Sequence, residues 1–239
     1  MNRERLVYRS LLVVAAAMLA CDSDPFLPCE TSSSSTVSAL RVLFVGNSAT
    51  YTNELPGMVQ DMGSADSLQI ETVDVSMGGV DLDYHWNIGS ARDSLGNGRW
   101  NVVVLQGGWG ETFEEYAVIW ANAIRAAEAR PALYMFCASP AYLAQFDDLS
   151  LSYRTAAKEA RAELYAAGEA CLAAWSIDPD LPLFAPDGHP SVMGSYLAAL
   201  TIYRGITGRE PPSLTNLGIS AADDAVLQAA AAAAQPISH

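Results

Sequence analysis

Basic residues are scarce: 13 Lys and Arg stand against 27 Asp and Glu, a formal net charge of −14 over 239 residues. Such a surface repels phosphate backbones, which argues against nucleic acid as a partner. Histidine is scarcer still, with His85, His189 and His239 scattered along the chain. The four cysteines, at 21, 29, 137 and 171, form no C-x-x-C pair, so spacing supports no zinc site. Cys137 and Cys171 sit in apolar contexts that suit buried free thiols, while an oxidising compartment would let them pair. No G-x-S-x-G occurs, which removes the α/β-hydrolase nucleophile elbow. No P-loop and no G-x-G-x-x-G occurs either, so no phosphate cradle or cofactor is implied.

Apolar material, by contrast, is plentiful. Hydrophobic residues make up 51% and charged residues 17%, enough for one sizeable core. Arg3, Arg5 and Arg9 precede an apolar run at 11–20 (LLVVAAAMLA) that is too short to span a bilayer. Basic flank, apolar run and polar switch come in the order of an export signal over 1–20, the alternative being a buried N-terminal helix. Cys21 follows Met-Leu-Ala, which resembles a bacterial lipobox and would make Cys21 a lipid anchor. Ordinary cleavage nearby is the alternative. Residues 21–38, with SSSS at 32–35, have no periodicity and read as a tether.

From 39 onward, short apolar runs alternate with helical patterns. The runs 41–45 (RVLFV), 68–75, 102–105 (VVVL) and 132–137 read as strands, and a short fifth run covers 181–184. Near-continuous apolar strands imply burial on both faces, as in a parallel sheet. Helix patterns cover about 53–64, 82–95, 112–129, 151–175, 191–206 and 221–234. The alternation predicts one α/β domain over 39–239: a three-layer α/β/α sandwich around a mainly parallel sheet of about five strands. Ligands in such sheets bind at the carboxyl ends of the strands. There the sequence places Gly46-Asn47-Ser48, Gly78-Gly79, Gln106-Gly107-Gly108 and Asp187-Gly188-His189.

Ser48, between a strand and a helix, is by position either a turn serine or a nucleophile. A serine hydroxyl needs a base. Of the three histidines, only His189 lies in a strand-end loop beside an acid, Asp187, which could fix its tautomer and orientation.

These residues fall in recognisable blocks. RVLFVGNSATYTNELP resembles the first block of SGNH/GDSL hydrolases, in the variant with Gly-Asn-Ser. VSMGGVDLDYHW resembles the second block, and APDGHPSVMGSYLAALTIYRGITGREP the last. The resemblance spans about 41–211 and implies a flavodoxin-like fold and a serine esterase. Ser48 would be the nucleophile, His189 the general base and Asp187 its orienting acid. The oxyanion donors would be the backbone N–H groups of Ser48 and Gly79. His85 would have a structural or supporting role.

Two departures qualify this. The third block's Gly-x-Asn is missing from QGGWGE, so Gln106 either substitutes as an oxyanion donor or satisfies nearby backbone. Asp187 and His189 are separated by Gly188 alone, where the family usually has two residues. Either the glycine lets the shorter loop work, or Asp187 is only a turn residue. Trp109, Trp86 and Tyr51 would form a substrate wall or simply pack. The resemblance thus implies an exported esterase acting on small-molecule or carbohydrate esters, with acetyl groups on carbohydrate a candidate substrate. The alternatives are an acyltransferase using the same residues, or a catalytically weak, surface-anchored carbohydrate-binding module.

Overall fold

Valine and leucine runs form the inner strands because these are covered on both faces, while the edge strand at 70–74 (IETVD) stays largely exposed. The structure, a computed structural model, describes residues 39–234 and 236–237. The expected export segment 1–20, anchor at Cys21 and tether 21–38, as well as His239, lie outside the described residues. The elements run β1 (Leu40–Val45), α1 (Ser48–Tyr51), α2 (Leu55–Ala65), β2 (Ile70–Asp74), α3 (Leu82–Asn87), α4 (Ala91–Asn97), β3 (Val102–Leu105), α5 (Glu111–Ala126), β4 (Arg130–Tyr134), α6 (Phe146–Ala160), β5 (Glu163–Tyr165), α7 (Ala167–Ile177), α8 (Val192–Thr207) and α9 (Ala221–Ala233).

The five strands pair in parallel in the order β2-β1-β3-β4-β5. Alternation along each strand sorts its side chains into two cores. Val42, Phe44, Val102, Val104 and Tyr134 pack with α2, α7, α8 and α9. Leu43, Val45, Val103, Leu105 and Leu133 pack with α3, α4, α5 and α6. This is the expected three-layer α/β/α sandwich.

Three expectations need correction. The predicted helix at 151–175 is two helices with the fifth strand between them. Its first part ends where Arg161 turns left-handed (φ 48°), and Glu163–Tyr165 then joins β4. Three residues flanked by alanines carry too little periodicity to register as a strand, but Leu164 and Tyr165 are fully buried against the sheet. The apolar run 181–184 is not in the sheet. Leu181 and Leu183 are buried under the helices, while Phe184 bridges to Pro190. The predicted helix 82–95 breaks at 88–90 into α3 and α4.

Cys137 and Cys171 form a disulfide with Cα atoms 5.9 Å apart, so the pairing alternative holds rather than free thiols. It fastens the segment leaving β4 to α7. Closing a loop between residues 34 apart contributes on the order of 4 kcal/mol by restricting the unfolded chain.

Candidate active site

β1 has β2 on one side and β3 on the other, so a crevice opens where the strand order reverses. The chain leaves β1 through Gly46. A Cβ there would stand 2.3 Å from Thr50 Oγ1 and 2.8 Å from Gln106 Oε1, so only glycine fits. Asn47 then caps α1. Its Oδ1 accepts the Ala49 N–H at 3.1 Å, and its Nδ2 donates to Val80 O at 3.1 Å. Ser48 opens the helix half-buried, and its own N–H has no protein acceptor among the described residues.

The loops around Ser48 are locked to one another by hydrogen bonds. The His85 ring, buried to 2% exposure, donates from Nε2 to Gly46 O at 2.8 Å, which fixes its tautomer and gives it the supporting role expected. Asp81 caps α3 through the Leu82 N–H at 2.7 Å and also accepts the Gly108 N–H at 2.9 Å. A Cβ on Gly107 would fall 2.1 Å from Asp81 Oδ1, so the close approach requires glycine. Tyr153, its hydroxyl pKa raised well above the usual range by burial, donates to Gly107 O at 2.8 Å.

Gln106 belongs to this scaffold. Its Oε1 accepts from Asn47 N and Thr50 Oγ1, both at 2.9 Å, and its Nε2 donates to Gly107 O at 2.8 Å. These bonds fit the backbone-satisfying alternative, and Gln106 also lines the cleft. The predicted fifth run contributes a loop instead of a strand. Ala185 N donates to His189 O at 2.9 Å and Gly188 N to Ala185 O at 3.0 Å. Gly188 adopts φ +85°, a conformation that favours glycine. The turn brings His189 Nδ1 within 3.2 Å of Asp187 Oδ2, while the His189 backbone N–H donates to Asp187 Oδ1 at 3.1 Å. The shorter spacing therefore lets the carboxylate reach the ring. That backbone bond, followed by the ring contact, holds the Asp187 carboxyl below its usual pKa range.

Ser48, Gln106, Asp187 and His189 line one cleft of about 570 Å³, with Trp109, Phe136 and Tyr142 as an aromatic wall. No hydrogen bond joins Ser48 to His189 among the described residues, an arrangement common before substrate binds. Gly79, with φ +73°, is exposed and does not line the cleft; nor do Trp86 and Tyr51. Trp86 instead packs on Trp120 and under Arg92. Sequence reasoning missed Asn53, the first residue of its predicted helix at 53–64. In a left-handed conformation (φ 56°), its Nδ2 donates to Pro190 O and Ser195 Oγ, both at 2.9 Å. That ties the loop after Ser48 to the residue after His189.

Fold and cleft define a class: an open parallel α/β protein carrying a serine and a histidine–aspartate pair at the carboxyl edge of its sheet. Neither a family model nor a curated protein sequence matches the chain. Solved structures do. A protein of Slackia heliotrinireducens assigned to the SGNH hydrolases is 28% identical, with TM-score 0.60, covering 71% of this chain and 100% of its own. A variant of an acetyl xylan esterase from Geobacillus stearothermophilus is 15% identical, with TM-score 0.55, covering 74% of this chain and 98% of its own. A protein of Parabacteroides merdae described as GDSL-like lipase is 17% identical, with TM-score 0.56, covering 72% of this chain and 98% of its own. By fold and by the order of its sequence blocks, the chain is a member of the SGNH/GDSL hydrolase superfamily.

Proposed function

We propose that the protein is a serine esterase that cleaves carboxylic esters through Ser48. The observation that carries this reading is the Asp187–His189 pair, set by the Gly188 turn on the same cleft as Ser48. Ser48 Oγ attacks the ester carbonyl while His189 takes its proton. The carbonyl oxygen, now negative, faces the Ser48 N–H, which is free to donate. As the bond to the alcohol breaks, His189 returns the proton to the departing oxygen. Water, deprotonated by His189, then releases the acid from Ser48. Asp187 holds the ring and stabilises its charged form.

Hydrolysis of p-nitrophenyl acetate by the full chain, beside Ser48→Ala, tests this. Loss of most turnover in the variant is expected; equal rates would sink the assignment.

The protein acts outside the cytoplasm, held to a membrane by lipid on Cys21. The basic flank and apolar run before Cys21 support this, as does a disulfide of the kind that persists in oxidising compartments. Radiolabelled palmitate should appear on the protein and vanish with Cys21→Ala. Absence of label from the unmodified protein rejects the anchor.

A further inference from the structure

The 3₁₀ turn Pro140–Gln145 has a hollow on each side. Ser139, Ala141 and Tyr142 line the cleft that holds Ser48 and His189. Pro140 and Leu143 instead line a second groove of about 450 Å³, together with Trp175, Pro179, Leu183 and Phe184. Phe184 borders both hollows, so groove and cleft adjoin.

The side chains that line the groove are apolar. None of its lining side chains carries a charge. The one polar side-chain atom, Trp175 Nε1, already donates to Leu181 O at 3.0 Å. The Trp175 and Phe184 rings, 6.1 Å apart and tilted by 30°, form its aromatic surface. Leu143 stays 38% exposed at the rim. Scattered apolar residues on a surface need no explanation, but a contiguous apolar hollow beside a reactive cleft is where a ligand binds.

We infer that this groove is the subsite for a hydrocarbon acyl chain, so that the preferred substrates are esters of medium-chain acids rather than acetates. The inference rests on the reading of Ser48 as an ester-cleaving nucleophile. The acyl carbon sits at Ser48, and its chain passes Phe184 into the groove. A sugar ring is disfavoured there, because its hydroxyls would be buried against side chains with no free donor or acceptor. An acetyl group has no chain to extend past Phe184.

The test is a chain-length series of p-nitrophenyl acetate, butyrate and octanoate with the full chain, beside Ser48→Ala, Leu143→Asp and Leu143→Gln. For the unmodified protein, kcat/KM for octanoate should exceed that for acetate by about tenfold or more, since each buried methylene adds roughly fourfold. Both Leu143 variants should lower the octanoate-to-acetate ratio by about tenfold, carried mainly by KM for octanoate. An octanoate-to-acetate ratio at or below unity in the unmodified protein, or a ratio unchanged in both variants, overturns the subsite. So does a dimer that Leu143→Asp splits without changing the ratio, which would make the groove a contact between copies. Turnover equal in Ser48→Ala for every ester overturns the esterase reading itself, and so separates the two failures.

Discussion

Asp81 accepts the backbone N–H of Gly108 across 27 residues of sequence while capping α3 with its other oxygen. One carboxylate thus sets the loop after β2 against the loop after β3, and that second loop carries Trp109 into the cleft. Asp81→Ala should free residues 107–109. Losing two charge-assisted bonds should cost about 2–4 kcal/mol of stability. It should also raise KM, because the aromatic wall moves. Urea unfolding and steady-state kinetics check both; a stable variant with unchanged KM would show that the loop does not need Asp81.

Gly188→Ala should separate the site from the fold. The position has φ +85° and open space around a would-be Cβ, so the penalty is backbone strain alone, about 1 kcal/mol. The strain falls on the turn that sets His189 against Asp187. A loss of kcat of tenfold or more, with the unfolding midpoint nearly kept, is the expected outcome; p-nitrophenyl acetate kinetics and thermal melts read it.

Acid should reveal a clasp remote from the cleft. Tyr203 donates to Asp66 Oδ2 at 2.7 Å and Arg209 Nη1 to the same oxygen at 2.9 Å, and these bonds, Tyr203 first, lower the Asp66 pKa. A carboxyl depressed in the folded state adds stability at pH values above its unfolded pKa of about 4, and that stability is lost as pH falls through the folded value. Asp66→Asn should therefore unfold at lower urea than the unmodified protein at pH 7, and the gap should close below about pH 4. A gap constant with pH would mean that the bonds do not depend on the charge.

Breaking the disulfide should act on both stability and the cleft. Cys137 lines the cleft, and its partner lies in α7. The double variant Cys137→Ala, Cys171→Ala should lose on the order of 4 kcal/mol of stability. Added dithiothreitol should lower the melting temperature of the unmodified protein and leave that of the double variant unmoved.

Much of this was legible in the sequence, and the exceptions have physical reasons. Four strands were readable: three are apolar runs followed by glycine or another turn residue, and β2 alternates apolar with polar residues. β5 was not, since Glu163–Tyr165 is short and its partner strand, β4, defines it more than its composition does. Leu181 and Leu183 misled because burial under helices leaves the same apolar mark as burial in a sheet. In the site, Ser48, Asp187 and His189 were singled out because they fall in the first and last blocks of the resemblance, and the structure brings them to one cleft. Gln106 stayed ambiguous, since an amide can face substrate or backbone and only its partners decide. Asp81 and Asn53 were not singled out, because their bonds reach segments that only tertiary structure brings near.

The bond from Asn53 to Pro190 spans 137 residues. Ser48 is made well before the segment that bears His189. Contacts of such long range form late and slowly in folding. A chain cut anywhere between them would lack the partner that the proposed mechanism gives to Ser48, so on that proposal esterase activity would report that both segments are present and joined.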